Sequence, residues 1–414
     1  MRKIIRDPLH GYIELDELAH AILDTVEMQR LRRIRQLGFS YLVYPGANHT
    51  RFEHSLGAYH LMNILLERLN VAKEEEQELL VASLIHDTGH GPYSHATEPL
   101  IKKFTDKGHE EIESMIFADR DEDKDAESTA PTILKVVEDY RLDKREIIGY
   151  IKGEKQIFFR KRDFSRVLNG EIDIDKMDYL VRDSYYTGVA YGVVDNIRLI
   201  QGLDFFKGEV VITEKGILPA EYLLFSRLLM QPTVYNHHTS RIAQLMFLNA
   251  LEDFIESIES ATTITIAMIR RMDDSEINIA LRNANSYPKE IVTRINERRL
   301  FKRAVYTKVN ELADGLVEEL SEERRVQEVK EEISARAGVD KKYVLVDFQK
   351  PKGDELEEGA AKVVIGNEFK NLREVSSMVS LLSNAFQENY KIGVYTPEEH
   401  RADVKRVAEG ILLR

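Results

Sequence analysis

The sequence predicts a mainly α protein with a short β-hairpin and a smaller C-terminal α+β lobe. Three observations carry that reading. Apolar residues recur at helical spacing as far as about residue 300, as in Met28, Leu31 and Ile34 or Leu61, Leu65 and Leu69. Strand-like runs come later, at Tyr343–Asp347 and Lys362–Ile365. Between helices, Val210–Leu218 reads as a hairpin with Lys215-Gly216 near its turn. At 414 residues the chain exceeds one ordinary core. The composition changes near residue 300, which divides a helical main domain, 1–300, from a lobe, 301–414, without a recognisable chemical motif.

Taken in order, Ile4–Leu15 reads as two short extended pieces around a turn at Pro8 and Gly11. One helix is expected from Asp16 to Leu37, with Met28, Leu31, Ile34 and Leu37 as its buried stripe and Gly38 as its end. Arg30, Arg32, Arg33 and Arg35 then fall mainly on other faces, as a solvated basic surface or a phosphate-binding one. Tyr41–Thr50 is an irregular aromatic loop. Helices follow over about Arg51–Leu69, with His54 on the first turn, and from Lys73 through the apolar run Leu79–Ile85. His109-Glu110 opens a further helical piece, Asp119–Ser128 reads as a solvated acidic loop, and two helices fill Pro131–Ile151. Asn169-Gly170 turns the chain into a helical segment over Asp173–Asp183. A long helix, irregular near Pro232, spans Ala220 to about Ile258. A charged helix to about Ala337, the two late strands and closing helices complete the chain, which has no internal repeat.

Composition excludes several classes. With 43% hydrophobic and 31% charged residues the chain is a folded, water-compatible protein, and no apolar run approaches the roughly 18 residues of a membrane span. Met1–Pro8 lacks the apolar core of a signal peptide, and there is no cysteine, so a cytoplasmic location is expected. A net charge of -13 argues against general nucleic-acid binding, which needs a cationic face.

The densest chemical signal is Leu84-Ile85-His86-Asp87-Thr88-Gly89-His90-Gly91-Pro92-Tyr93-Ser94-His95. An apolar helix delivers three histidines and an aspartate into a loop broken by Gly89, Gly91 and Pro92. Neutral imidazoles and a hard carboxylate suit a divalent ion, and without cysteine the missing ligands must be His, Asp, Glu or backbone oxygen. Asp175, Tyr179 and Asp183 share one helical face, with Arg182 beside them. The macrodipole alone accounts for Asp173, Asp175 and Asp178 near a helix start. Beside a His/Asp cluster, however, the charge balance of a buried ion favours the ligand reading. His54 by itself reads as a structural histidine.

Arg51-Phe52-Glu53-His54-Ser55, His86-Asp87 and Asp175-Lys176-Met177-Asp178-Tyr179 resemble the separated H…HD…D signature of HD-domain metal-dependent phosphohydrolases. Asp7-Pro8-Leu9-His10-Gly11, Gln29-Arg30-Leu31-Arg32, Gln36-Leu37-Gly38, Pro45-Gly46-Ala47 and Gly89–His95 resemble, more narrowly, the deoxynucleoside triphosphate triphosphohydrolase branch. The match covers about residues 1 to 240 and implies an HD-domain helical core whose metal-binding helices lie over about 45–200. It implies His54, His86, Asp87 and Asp175 as ligands of one divalent ion, Fe, Mn, Zn, Ni or Mg, with further Mg accompanying the nucleotide. The implied reaction releases deoxynucleoside and inorganic triphosphate from a dNTP.

His95 is then the candidate general acid, oriented by Glu98, where the family usually has Asp; His90 and His109 complete the phosphate-facing shell. Arg51 and Lys176 would hold triphosphate oxygens, with Gln36, Leu37, Tyr179, Asp183, Arg227 and Tyr235 at sugar and base. Gln231 stands where the branch has histidine, and Asn236-His237-His238 follows its pattern only in part. Lys3, Asp24, Gln29 and Arg32 match effector positions, which implies a homo-oligomer, tetramer or dimer, activated by GTP or a dNTP. Two alternatives stand beside this reading: an HD phosphohydrolase of another nucleotide or phosphoester, and a nucleotide-sensing or single-strand-binding module with little turnover.

Overall fold

A computed structural model describes residues 3–105, 108–116, 130–154, 162–258, 263–348, 357–388 and 390–413. The acidic stretch Asp119–Ser128 lies outside the described residues. The chain is mainly α, and its first elements are the antiparallel strands β1 (Lys3–Asp7) and β2 (Gly11–Leu15), paired from Lys3↔Leu15 to Asp7↔Gly11. Asp7 Oδ1 accepts hydrogen bonds from the backbone N–H groups of Leu9 and His10, both at 2.9 Å, which closes the turn.

The expected helix Asp16–Leu37 is instead two short ones, α1 (Glu17–Leu23) and α2 (Val26–Leu31). Thr25 is the reason. Its hydroxyl donates back to Ile22 O at 2.7 Å and accepts from Met28 N, ending one helix and capping the next. Met28, Leu31 and Ile34 are fully buried. Gly38, at φ +49°, opens a 3₁₀ turn over Gly38–Leu42 rather than closing a helix. The arginines do not form one face. Arg30 is bonded to the carbonyls of Thr88, His90, Arg270 and Met272, while Arg33 and Arg35 pair with Asp273 and Asp274. Arg32 lies over the Phe52 ring.

A capping box between Thr50 and Glu53 starts α3 (Arg51–Arg68), and α4 (Lys73–Ile85) packs beside it. The chain continues through α5 (Glu98–Thr105), α6 (Glu113–Ile116), α7 (Ile133–Asp139), α8 (Lys144–Lys152) and α9 (Ser165–Leu168). His109-Glu110 form a turn before α6 rather than a helix start. Asp173 caps α10 (Ile174–Thr187), which packs on α3. Leu61, Leu65, Leu79, Val81, Leu84, Met177 and Leu180 are among the buried residues that join these helices to the hairpin's Ile13 and Leu15 in the first core.

After α11 (Asn196–Gln201) comes a hairpin of β3 (Leu203–Phe206) and β4 (Glu209–Thr213), one strand earlier than expected. Its turn is Lys207-Gly208, with φ of +50° and +87°, the left-handed pair that suits the twist of a tight hairpin. Lys215-Gly216 instead belong to a 3₁₀ turn that leads into α12 (Ile217–Met230). The irregularity expected near Pro232 is a π-helical turn, Gln231–Tyr235, before α13 (His238–Glu256). With α14 (Thr263–Arg271), α15 (Asp274–Asn283) and α16 (Tyr287–Asn296), α13 builds a second core that also takes in Phe39 and Tyr93.

Beyond residue 300 the chain opens with a strand, β5 (Lys302–Lys308), where helix was expected. It continues through α17 (Leu316–Leu320), α18 (Glu323–Ala337), β6 (Leu345–Phe348), β7 (Lys362–Ile365), β8 (Glu368–Asn371), α19 (Leu372–Val375), α20 (Ser377–Glu388), β9 (Lys391–Thr396) and α21 (Arg401–Leu412). One sheet runs β5–β9–β6 and packs with α18 and α21. β7 pairs in parallel with β4, so Val363, Leu372 and Val379 belong to the first core. The C-terminal region therefore contributes to more than one core. Among the described residues no helix is long and apolar enough to cross a membrane.

Candidate metal centre and active site

Helix α3, the end of α4 and the first turn of α10 bring His54, His86, Asp87 and Asp175 together across more than 120 positions of sequence. His54 Nε2 lies 2.8 Å from Asp175 Oδ1, 3.2 Å from His86 Nε2 and 3.7 Å from Asp87 Oδ2. His86 Nε2 lies 3.5 Å from Asp87 Oδ1 and 3.6 Å from Asp175 Oδ1. Ligands at ~2.0–2.2 Å from one ion are themselves separated by about 3–3.5 Å, so Nε2 of His54, Nε2 of His86 and Oδ1 of Asp175 need little movement to share one, and the Asp87 carboxylate stands at the edge of that group.

The donor set fits a divalent cation. Nδ1 of His86 faces the carbonyl of Ser83 at 2.9 Å, and Nδ1 of His54 faces the Asp178 carboxylate at 2.9 Å. Both partners only accept, so both Nδ1 atoms carry hydrogen and Nε2 is the ring atom that each would offer a cation. Asp87 Oδ2 is buried without a hydrogen bond; Arg51 Nη1 approaches to 2.7 Å at an angle that is not one. Lone pairs and carboxylates facing a common point are stabilised by a cation there. Burial disfavours a charged His54, yet its contacts with Asp175 and Asp178 push it up to about 10.

A second cluster lies alongside. His95 Nδ1 donates to Glu98 Oε2 at 2.8 Å, and His109 Nδ1 donates to Glu98 Oε1. Burial would raise Glu98, but the two imidazoles hold it well below the usual carboxylate range. His90 stacks on His109 with ring centroids 4.2 Å apart and lies 3.5 Å from Asp87 Oδ1. Burial, Arg51 and His109 push His90 well below the ordinary imidazole range. Gly89 permits this packing, because a Cβ there would stand 1.9 Å from His109 O. Tyr93 and Ser94 both hold left-handed backbone, at φ +55° and +58°, a strained pair just before His95. Asp274 Oδ1 accepts from Tyr93 N at 2.6 Å, and Ser94 Oγ donates to Arg35 O at 2.7 Å, which holds that backbone in place.

Both clusters open into one cavity of about 560 Å³, lined among others by Gln36, Arg51, His86, Asp87, His95 and Tyr179. Arg51 is fixed by its Nε donating to Ser94 Oγ at 2.7 Å. Gln36 Oε1 is buried without a partner, an acceptor aimed at no protein donor. The other expected substrate residues are placed differently. Lys176 turns its ammonium to Asp173 Oδ2 and Gly170 O, at 2.7 and 2.8 Å. Asp183 is taken up by His49 Nε2 at 2.7 Å and by the Tyr235 hydroxyl at 2.9 Å. Tyr235 lies 6.1 Å, ring to ring, from Tyr179, whose buried phenol is pushed up to about 12 despite Arg227. Leu37 packs against the first core, and Gln231 accepts from Asn236.

Of the expected effector residues, Lys3 contacts His20, which reaches Asp24 at 3.4 Å, and Gln29 accepts from Arg32 Nε at 2.9 Å. Sequence reasoning missed His49 and Ser94. His49 stands two positions before Arg51 in Asn48-His49-Thr50, and Ser94 directly precedes His95, so proximity to the recognised motifs was the available signal.

The helical core and the four-residue centre define a metal-dependent phosphohydrolase. The HD domain family model matches residues 51–183, and the HD associated region matches 194–413. The chain belongs to the HD-domain phosphohydrolase family and resembles its SAMHD1 members. It is similar to an uncharacterized protein of Methanocaldococcus jannaschii, 32% identical over 96% of this chain and 80% of that one. It is 29% identical to the deoxynucleoside triphosphate triphosphohydrolase SAMHD1 of Gallus gallus, over 77% of this chain and 60% of that protein. Among solved structures, a phosphohydrolase from Bacteroides thetaiotaomicron superposes with a TM-score of 0.75 at 27% identity, covering 96% of this chain and all of that one.

Proposed function

We propose that the chain hydrolyses deoxynucleoside triphosphates to deoxynucleoside and inorganic triphosphate. The observation that carries this reading is the meeting of the two clusters, metal-ligand set and His95–Glu98–His109, in one cavity with Arg51 between them. His54, His86, Asp87 and Asp175 would hold a divalent ion, which would supply Lewis acidity at a phosphoryl oxygen and favour deprotonation of water. Arg51 orients phosphate oxygens as a planar fork. Water attacks the α-phosphorus, the bond to the 5′ oxygen breaks, and that oxygen receives a proton from His95. Nε2 is the donating nitrogen, because Nδ1 is engaged by Glu98. Gln36 and Tyr179 line the cavity and would meet sugar and base, with Tyr235 and Asp183 behind Tyr179. The likeness to the SAMHD1 proteins supports the substrate class.

The reading is tested by incubating the protein with each dNTP and NTP, with Mg, Mn or Fe, and resolving products by ion exchange. Triphosphate from dNTPs is the expected product, whereas monophosphate with pyrophosphate, or orthophosphate alone, excludes the stated bond. A second reading, hydrolysis of a smaller phosphoester, draws on the inward turn of Lys176 and on Gln231. His95→Gln should lower kcat by about 10²–10⁴-fold while leaving metal content intact, the loss typical of a general acid; an unchanged kcat removes His95 from that role. We also propose a cytoplasmic homo-oligomer, activated by GTP or a dNTP through Lys3, Asp24, Gln29 and Arg32. Equal rates with and without GTP, across dNTP mixtures, would discard the activation.

A further inference from the structure

The turn of the N-terminal hairpin reaches the back of the metal centre. Asp178 is fully buried and its carboxylate accepts four hydrogen bonds. These come from His54 Nδ1 at 2.9 Å, His10 Nε2 at 2.7 Å, and Arg182 Nε and Nη2 at 2.8 and 3.0 Å. Arg182, also fully buried, donates from Nη1 to Asp7 Oδ2 at 2.9 Å. The other oxygen of Asp7 holds the backbone N–H groups of Leu9 and His10, and so fixes the ring of His10 against Asp178. Asp7 and His10 thus converge on the group that orients His54, although they precede it by more than 40 positions.

We infer that Asp7, His10, Asp178 and Arg182 are positioning residues for the metal, and that hairpin docking and metal occupancy are thermodynamically linked. The inference rests on the metal reading of the centre, not on its substrate. A carboxylate on Nδ1 selects the tautomer of His54 whose Nε2 lone pair faces the ion, and it raises the ring's basicity. Two carboxylates and one guanidinium leave a net negative charge behind the ligand. His10 adds a further hydrogen bond on the Asp178 carboxylate, which shares the single guanidinium of Arg182 with Asp7. If the docked hairpin favours the metal-ready geometry, the bound metal must favour the docked hairpin by the same factor.

The test is calorimetric Mn2+ titration of the full chain, together with amide hydrogen exchange of the wild type with and without Mn2+. Asp178→Asn should weaken Mn2+ binding by roughly 10–100-fold. A carboxamide can donate to Nδ1 and select the tautomer whose Nε2 carries the proton. His10→Phe should weaken binding several-fold and His10→Gln, which keeps a donor, should restore most of it. In the wild type, Mn2+ should slow exchange at Leu9 and His10. Variants with lowered melting temperature but unchanged Mn2+ affinity would make the network a structural anchor and overturn the inference. Hairpin exchange indifferent to Mn2+ would overturn it too, and that measurement needs no variant to fold. A chain that binds Mn2+ in the expected pattern but hydrolyses no dNTP supports the inference while overturning the proposed substrate.

Discussion

Replacing His86 by alanine should remove metal and phosphohydrolysis together, and Asp87→Ala should do the same. Each change deletes a proposed direct ligand, so metal affinity should fall by more than the roughly 10–100-fold that loss of an orienting partner produces. His86→Ala is the cleaner experiment. The imidazole is at the cavity wall and its removal leaves no buried charge unpaired. Asp87→Ala, by contrast, strands the buried guanidinium of Arg51, now 2.7 Å from Asp87, and adds a stability loss of about 3–5 kcal/mol. Metal content after dialysis, turnover and a thermal melt separate the two effects. A His86→Ala protein that retains one equivalent of metal and normal turnover refutes the assigned centre.

Gly57→Ala should be strongly damaging. Its Cβ would stand 1.8 Å from Asp178 Oδ1, 2.4 Å from Asp178 Cγ and 2.5 Å from Arg182 Nη2. None of these can retreat, because the carboxylate and guanidinium are fully buried and bonded to each other. Helices α3 and α10 must separate or the pair must break, at a cost of about 3–5 kcal/mol. The displaced Asp178 no longer orients His54, so weakened metal binding should accompany the lowered melting temperature. Denaturant unfolding and Mn2+ titration measure both. Unchanged values in the Gly57→Ala protein would show that the two helices have room there.

Local patterns were legible wherever one face of an element decides its burial. The apolar spacing of Leu61, Leu65 and Leu79–Ile85 marked α3 and α4, and the four candidate ligands were carried by motif resemblance. What failed was governed by alternatives of similar local strength. Thr25 can lie inside a helix or cap a new one, and its hydroxyl does the latter. Lys207-Gly208 and Lys215-Gly216 both resemble hairpin turns, and the strand pairing selected the first. Lys302–Lys308 reads as a charged segment until β9, some 90 residues later, supplies its antiparallel partner.

By itself the sequence determined a helical, cysteine-free chain with a mixed His/Asp centre, because residue type and short-range spacing set those properties. Only the tertiary structure decided the roles that depend on distant partners. Arg30 became a clamp on four carbonyls rather than part of a basic face, Lys176 turned to Asp173, and Asp7 and His10 reached Asp178. A side chain's chemistry is written locally, but the group it must satisfy when buried is chosen by packing.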